Sequence, residues 1–589
     1  MTDKQEIQRD ITLTAFPEKG EKYEKQITLP FSAEKLSRAV IKLPVCVEAP
    51  ETGGKAFIEI MYSAAKTTVC AEGEVLADKN GIFAPLRLDI TPLADGKTHE
   101  LEIELTPLPG EEIYFGKVCS FVTADSYFET SLRGDCGITV SAAVSENGSS
   151  PLSDAAVNII LTAHIVNPNN YDVLRCTLIS PDGTEKVKTC KPTSPTCIFT
   201  PEEVLFWNGQ HQSPLYTIRA EIVRDCKILD SAEAIFGVRK IAFDDGFLTL
   251  NSVKLPLNGI VTDGNARTPD DTELFNLLDA NCVKIAVCPG IDAFLTECDK
   301  DGVIAWVDFT RIFELDDTQT GAVAQSLAHH PSFVFAGLDS GEKDTLEDFC
   351  AAIKTAADGV FTAGAASFPD EESVSDAVPD VVAVTVAPNT PPDKFSELGN
   401  RFDGFIANRR MRHTAVFAEP PEGFFERHSD HASRADCSQE FFAMWHEKFW
   451  QHFAAKKGVF GCFAGALADS GSTSGRNGLV SFDRQDTKDA FWFYKAHFSA
   501  EGFVKLCSAQ STMTDKKSID IRCYTNAPGA VLTVNGKKYP SASCEEAADC
   551  VYVFRNVKLK RKNNTIVLTA AGATDSAVIY RSKSKLKKV

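Results

Sequence analysis

The 589-residue sequence contains no long uninterrupted hydrophobic run and no apolar segment near its start. A membrane-spanning helix needs about 18 consecutive apolar residues, and a secretory signal needs an apolar core behind a positively charged start. Residues 1–7 are instead mostly polar or charged. We therefore expect a protein that neither crosses a membrane nor is secreted.

Paired cysteine motifs are also missing, although the chain has 18 cysteines. No Cys-x-x-Cys pair occurs, and several cysteines, among them Cys282, Cys288 and Cys462, lie within apolar runs. This pattern is typical of reduced thiols that are buried as small hydrophobic side chains. We therefore expect a cytoplasmic location.

Positive charge falls short of negative charge, since 61 Lys and Arg residues face 81 Asp and Glu residues and the formal net charge is −20. Such a chain repels phosphate backbones and anionic membrane surfaces, so we expect neither nucleic acid nor membrane as a partner, despite the basic tail at 581–588. The sequence has no glycine-rich phosphate loop, and His428 and His431 lack a third ligand nearby. We therefore predict no bound cofactor and no metal site.

Short alternating apolar and polar runs dominate the first 240 residues. Examples are 39–43, 56–60, 86–90 and 101–105, with Gly, Pro and Asp clusters between them. A period of two with closely spaced turn signals predicts β-sandwiches. We place a jelly-roll sandwich at residues 1–120 and an immunoglobulin-like sandwich at 121–240.

The periodicity changes after Lys240, where short β-rich runs alternate with helical patterns. Alternation of this kind indicates parallel βα units, and eight of them predict a TIM barrel at residues 241–500. The strand candidates are 254–261, 282–287, 303–308, 333–336, 359–363, 381–386, 414–419 and 459–464, and helices are expected at 271–280, 345–357 and 439–455. Residues 501–589 return to strand alternation and predict a C-terminal immunoglobulin-like sandwich.

Several phrases spaced along the chain resemble glycoside hydrolase family 2, the β-galactosidase and β-glucuronidase family. They lie at 81–97, at 205–216, at 236–240 and, as the strongest of them, at 478–496, which is similar to the family's "GL.t.DR.pKda.yfYka". The predicted domain order is also that of the family, including a small C-terminal sandwich like the one appended to many bacterial β-galactosidases. The resemblance implies a retaining β-glycosidase that acts on a β-linked glycan.

The catalytic positions implied by the resemblance are only partly kept. Retaining glycosidases use two carboxyl groups, one as acid/base and one as nucleophile. The end of strand seven places Glu419 on the family's nucleophile position. Counting from His330 in strand four, the acid/base position falls on Gly341, so Glu342, one residue late, and Asp339 are the candidates for a displaced acid.

Other strand ends also depart from the family pattern. Lys284 replaces an Arg at strand two, Thr385 lies in the altered strand-six motif, and Ala336 and Gly465 fall on Trp positions. Lys284 and Thr385 are the candidate substrate-binding residues. Losses at four strand ends predict a catalytically impaired protein that acts in glycan binding or assembly, with self-association into a homo-oligomer. The alternative is an active β-galactosidase-type enzyme that uses Glu419 as nucleophile and Glu342 as acid/base.

Aromatic platforms for a sugar are few, because the chain has five tryptophans. Trp207, Trp306 and Trp492 lie in apolar runs and are predicted to be buried. Trp445 and Trp450 are the ones we expect to be partly exposed. They are five residues apart and so do not share one helix face, which favours packing over sugar stacking.

Overall fold

The computed structural model describes residues 4–109, 112–129, 137–145, 156–262, 269–340, 342–368, 379–386, 390–408, 413–421, 423, 425, 428, 437–469, 477–507, 513–539 and 544–582. The described chain forms antiparallel sheets, then a closed parallel barrel, then antiparallel sheets again. The predicted fold class of β-sandwiches around a TIM barrel is confirmed.

The N-terminal sandwich consists of a large and a small sheet whose inner faces share one apolar core. Its longest strands, Leu36–Cys46 and Thr98–Pro107, pair from Thr98 opposite Cys46 to Leu105 opposite Ala39. The large sheet contains Tyr23–Ile27, Ile11–Pro17, Leu36–Cys46, Thr98–Pro107, Ser63–Ala71, Glu74–Ile82, Ile113–Phe115 and Phe31–Ala33; the small sheet contains Gln5–Glu6, Val118–Val122, Ala56–Ile60 and Leu86–Asp89.

The second sandwich has its own core and also consists of two main sheets. One sheet contains Ile138–Ser145, Ala156–Ala163 and Thr196–Phe199, and the other contains Glu185–Cys190, Val173–Ile179, Tyr216–Arg224 and Lys227–Phe236. Tyr127–Phe128 pairs with Ile165–Val166, and a small sheet of Ile241–Asp244, Phe247–Leu250 and Val253–Lys254 leads into the barrel.

The barrel closes because its first strand pairs in parallel with its last, from Leu257 opposite Gly461 onwards. Its strands are β1 Leu257–Val261, β2 Cys282–Ala286, β3 Ile304–Asp308, β4 Phe333–Leu338, β5 Phe361–Phe368, β6 Val381–Val386, β7 His413–Ala418 and β8 Val459–Ala466. All eight predicted strands are confirmed, with shifts only at their ends.

Helices surround the barrel, and their apolar faces join one large core with the outer faces of the strands. They are α1 Pro269–Leu278, α2 Ile291–Asp301, α3 Thr310–Asp316, α4 Thr318–Leu327, α5 Lys343–Ala356, α6 Phe395–Asn408, α7 Gln439–Phe449 and α8 Asp489–Phe498, with a π-helical extension of α7 at Trp450–Ala454. The three predicted helices correspond to α1, α5 and α7 with its extension.

The C-terminal sandwich packs on the barrel through α7 and α8. Tyr524 and Val551 belong to the barrel core, whereas the sandwich interior forms a separate cluster. One sheet contains Val504–Leu506, Ser518–Thr525, Val551–Lys558 and Cys544–Ala548, and the other contains Met513–Thr514, Ala573–Arg581, Lys562–Ala570, Val531–Val534 and Lys537–Lys538.

The predicted exposure of the tryptophans is partly wrong. Trp207 and Trp306 are buried as expected, but Trp445 is also fully buried and Trp492 is only half-buried. Trp445 lies on the inner face of α7, where its ring stacks on Phe449. Its burial removes one of the two rings that the sequence offered for sugar stacking.

None of the helices within the described ranges combines the length and the apolar character needed to cross a lipid bilayer. The cysteines whose side chains are described are all free thiols.

Candidate active site

The carboxyl ends of the barrel strands carry a set of polar side chains, which we call the mouth set: Lys284, Asp308, Asp339, Thr385 and Glu419. In a TIM barrel this rim is where catalytic and binding residues gather, because several strand ends converge there. Lys284 and Thr385 lie within β2 and β6, and Asp308 ends β3. Asp339 and Glu419 directly follow β4 and β7.

Alternation along the strands explains why the four charged members face the same space. Side chains two residues apart on a strand point to the same side. Cys282, Trp306, Phe335 and Phe417 belong to the apolar cluster inside the barrel, which we call the lumen cluster. Lys284, Asp308 and Glu419 each lie two positions after one of them. Asp339 lies four positions after Phe335, so all four charged residues continue the inward face towards the rim.

The floor of the mouth is aromatic and closely packed. The Trp306 ring lies 4.9 Å from that of Phe335 and 5.4 Å from those of Phe417 and Phe463. A Cβ atom at Gly337 would lie 2.4 Å from Trp306 Nε1, so β4 has no room for a side chain there. The lumen below the rim is therefore filled by protein rather than open to a ligand.

Lys284 and Asp308 form an ion pair on this floor. Lys284 Nζ lies 2.9 Å from Asp308 Oδ2, and Asp308 Oδ1 accepts a hydrogen bond of 2.9 Å from the Thr310 backbone N–H. Burial raises the pKa of Asp308, but the Lys284 ammonium and the Thr310 hydrogen bonds outweigh it, and the net pKa is lowered. Asp308 is thus held as a carboxylate, and Lys284 is already engaged by it.

Glu419 is exposed at the rim, yet its surroundings raise the pKa of its carboxyl group. The atoms of the mouth remove part of its hydration, which raises its pKa. The Lys284 ammonium opposes this shift, whereas the negative charge of Asp339 adds to it, and the net pKa is raised. Asp339 is therefore the carboxylate on the β4 side whose charge is felt at Glu419.

Glu342 occupies a different position from the rim carboxylates. It precedes α5 in an extended conformation, and its backbone N–H donates to Ser340 Oγ over 3.2 Å. Its exposed carboxylate accepts a hydrogen bond of 3.4 Å from Thr345 Oγ1 in the first turn of α5. A carboxylate is favoured at a helix N-terminus, so this contact directs Glu342 towards the helix. Gly341, on which the acid/base position falls, lies outside the described residues.

Sequence reasoning missed Asp308 as a member of the mouth set. The available signal was its place at the end of a barrel strand, where a carboxylate is often functional. Thr385 lies on β6 beside Phe417 of β7 and is half-buried. Ala336 packs in the core between strands and helices, because it alternates with the inward Phe335 and Gly337.

His428 and the closing phrase at 478–496 make hydrogen bonds to other parts of the chain. His428 Nδ1 lies 2.8 Å from Glu440 Oε1, and His431 lies outside the described residues. In the closing phrase, the buried Lys488 Nζ donates to Asp469 Oδ1 over 2.8 Å, and Arg484 Nε donates to Asp271 Oδ1 over 3.1 Å. The Arg484 contact joins the end of the barrel to α1, and the Lys488 contact fastens the segment that follows β8, so the phrase stabilises the fold.

The sequence matches no protein-family model. It is 23% identical over 498 residues to a β-glucuronidase of Bacteroides fragilis, covering 72% of this chain and 70% of that one.

Two solved structures have the same fold over nearly the whole length. An FMN-binding β-glucuronidase from Facaelibacterium prausnitzii has a TM-score of 0.85 at 21% identity and covers 100% of this chain and 99% of its own. A candidate β-galactosidase from Bacteroides fragilis has a TM-score of 0.83 at 16% identity, with 99% of both chains covered. The chain therefore has the fold of these β-glucuronidase and β-galactosidase structures.

Proposed function

We propose that this protein is a catalytically impaired relative of the retaining β-glycosidases and that it acts in glycan binding or assembly. The observation that carries the proposal is the contact of the Glu342 carboxylate with Thr345 in the first turn of α5. A retaining mechanism needs two carboxyl groups about 5 Å apart across the glycosidic bond. Without a placed acid, a leaving sugar oxygen is not protonated and the bond stays intact.

The charges of the mouth set favour a neutral β-linked sugar over an acidic one. Asp308, Asp339 and Glu419 are carboxyl groups, and the Lys284 ammonium is already paired with Asp308. A uronate would bring a further negative charge to this rim and would be repelled. The ligand class we propose is thus a neutral β-linked glycan such as a β-galactoside, held with low affinity above an aromatic floor.

We also propose the location, partners and oligomeric state of the protein. A net charge of −20 makes nucleic acids and anionic membranes unsuitable partners. The free thiols are consistent with a cytoplasmic location. We further propose that the chain forms a homo-oligomer through its sandwich or barrel faces.

A second candidate function is an active retaining β-glycosidase with Glu419 as the nucleophile. The negative charge of Asp339, which raises the pKa of Glu419, favours it, because an acid and nucleophile pair needs two carboxyl groups near each other at the barrel mouth. In this alternative Asp339 is a better candidate for the displaced acid than Glu342, which contacts Thr345.

The experiment that separates the two functions is hydrolysis of aryl β-galactosides, β-glucuronides, β-mannosides and β-glucosides. We expect the wild-type chain to release no more nitrophenol than Glu419→Gln. Glu342→Gln serves as the matched control, since it removes a carboxylate outside the mouth set. Activity that falls by several orders of magnitude in Glu419→Gln and Asp339→Asn, but not in Glu342→Gln, would establish the active enzyme instead.

Binding and assembly are tested on the same preparation. Calorimetric titration with lactose, galactose and glucuronate, beside light scattering, should show weak binding of the neutral sugars at most, none of glucuronate, and a mass above that of one chain. Submillimolar binding by a strict monomer would replace assembly with a lectin-like role.

A further inference from the structure

A cluster of histidine and aspartate side chains lies at the other end of β4 from the mouth set. His329 and His330 belong to the loop between α4 and β4, and Asp292 lies in the first turn of α2. One ligand atom from each of the three residues lies within 4.8 Å of the others. We propose that Asp292, His329 and His330 bind a transition-metal cation of the Zn²⁺ class.

The geometry of His330 supports a ligand role. Its Nε2 atom lies 3.2 Å from Asp292 Oδ1, and its Nδ1 atom lies 2.6 Å from Asp299 Oδ2. A histidine that ligates a metal usually donates its other ring N–H to a carboxylate, which fixes the tautomer and the orientation of the ring. Asp299 supplies that carboxylate, so the Nε2 atom of His330 points towards Asp292 and is the atom that would bind the cation.

The position of Asp299 is itself fixed by the fold. Its side chain is buried, and Oδ1 accepts a hydrogen bond of 2.9 Å from the Ser332 backbone N–H. Asp292 and Asp299 are seven residues apart on α2, so both lie on the helix face towards His330. The orienting carboxylate is therefore built into the structure.

His329 completes the set from the solvent side. Its Nε2 atom lies 4.0 Å from Asp292 Oδ1, and its ring centroid lies 4.0 Å from that of His330. The side chain of Asp292 is 58% exposed and that of His329 is 22% exposed, so a cation can enter from water. A tetrahedral zinc site with bonds of about 2.0–2.2 Å places its ligand atoms roughly 3.3 Å apart. The 3.2 Å between Asp292 and His330 matches this spacing, and a rotation of the His329 ring would bring its Nε2 atom closer than the present 4.0 Å from Asp292.

Two imidazole nitrogens and one carboxylate oxygen determine the class of cation. Magnesium and calcium prefer all-oxygen sites, whereas imidazole suits Zn²⁺, Co²⁺ and Ni²⁺. Three protein ligands leave the fourth position to water. When the cation binds His330 Nε2, it displaces the proton that this nitrogen otherwise donates to Asp292, and the proton leaves to solvent.

The expected role of the cation is to stabilise a domain junction. Pro331 packs so closely on Gly237 of the immunoglobulin-like sandwich that a Cβ atom there would lie 2.8 Å from Pro331 Cγ. Arg239 donates a hydrogen bond of 3.0 Å to the Phe333 carbonyl, and Trp207 Nε1 donates one of 2.8 Å to the Asp299 carbonyl. A cation that joins α2 to the loop before β4 would therefore fasten the place where sandwich and barrel meet.

The test is a Zn²⁺ titration of the full chain, first stripped with a chelator and then freed of it. We expect one equivalent to bind by calorimetry and the thermal unfolding midpoint to rise. His329→Gln and Asp292→Asn, both at accessible positions, should each weaken binding by at least about tenfold. His211→Gln removes an exposed histidine outside the cluster and should bind as the wild type does.

A second readout reports coordination directly. Co²⁺ in a four-coordinate site with histidine ligands should give visible absorption bands that His329→Gln and Asp292→Asn lose and His211→Gln keeps. Unfolding midpoints measured without metal show whether each variant remains folded. The proposal is overturned if the wild type shows no saturable Zn²⁺ binding, or if the folded His329→Gln and Asp292→Asn variants bind as tightly as the wild type.

Discussion

At the scale of single residues, Lys284 has the largest electrostatic influence on the mouth set. It pairs with Asp308 and lowers its pKa, and it partly offsets the rise in the pKa of Glu419. Lys284→Met leaves the Asp308 carboxylate largely buried without its cation, and we expect a loss of about 1–3 kcal/mol in the free energy of unfolding at neutral pH. Denaturant titration measures it.

The double variant Lys284→Met with Asp308→Asn is the matched control for this prediction. It removes both charges together, so much of the lost stability should return. Equal stabilities for the wild type and Lys284→Met would mean that Lys284 does not stabilise the buried carboxylate of Asp308.

Two buried histidines make stability depend on pH. Burial and the nearby Lys488 lower the pKa of His446 to about 3, and burial lowers that of His497 to about 4. An unfolded imidazole titrates near 6.5, so below that pH the unfolded chain binds more protons than the folded one. Stability therefore falls from pH 7 to pH 5, by up to about 1.4 kcal/mol per pH unit for each histidine.

Unfolding free energies measured across this range check the prediction. His497→Gln should reduce the slope, because it removes one of the histidines whose pKa is lowered by burial, whereas the matched control His211→Gln removes an exposed histidine. Identical slopes for His497→Gln and the wild type would contradict a lowered pKa of His497 in the folded protein.

At the scale of elements, a polar contact joins α7 to the C-terminal sandwich. Arg522 Nη1 lies 2.8 and 2.9 Å from the two carboxylate oxygens of the buried Glu447, and the Tyr524 hydroxyl donates to the same carboxylate over 2.6 Å. Burial raises the pKa of Glu447, and Arg522 and Tyr524 oppose the shift. The contact therefore keeps a buried carboxyl group hydrogen-bonded where two domains meet.

We expect Arg522→Met to cost about 1–3 kcal/mol, since it leaves Glu447 buried with less compensation. Arg219 is the matched control, because it pairs with Glu233 at 2.8 Å while both side chains are more than two-fifths exposed. Arg219→Met should cost less than about 1 kcal/mol. Equal effects in thermal or denaturant unfolding would show that the domain contact is no stronger than a surface pair.

Elements with strong local signals were predictable from sequence. The eight barrel strands have short β-rich runs between helical patterns, and all eight are found. Asn535 and Gly536 both have positive φ between Val531–Val534 and Lys537–Lys538, as a two-residue hairpin turn requires. The exposure of Trp445 was not predictable, because helical spacing alone does not show that α7 is buried on that face.

At the scale of the whole molecule, the order of the domains followed from spaced sequence phrases, and the matched structures cover nearly the whole chain. The domain limits at 120, 240 and 500 stay predictions. Contacts between distant segments could not be predicted, since Asp308 meets Lys284 and Asp299 meets His330 only once neighbouring βα units have packed together. The same holds for Glu342, whose direction depends on where α5 begins.

The proposed loss of activity means that the barrel mouth does not hold a working pair of carboxyl groups. It is tested most directly by covalent labelling with β-configured cyclophellitol aziridines, in galactose and glucuronate forms. Labelling requires an acid to protonate the aziridine nitrogen and a nucleophile to open the ring, so it reports both groups at once. We predict that intact-mass spectrometry finds no adduct on the wild-type chain, and a stoichiometric adduct on Glu419 that Glu419→Gln abolishes would contradict the account.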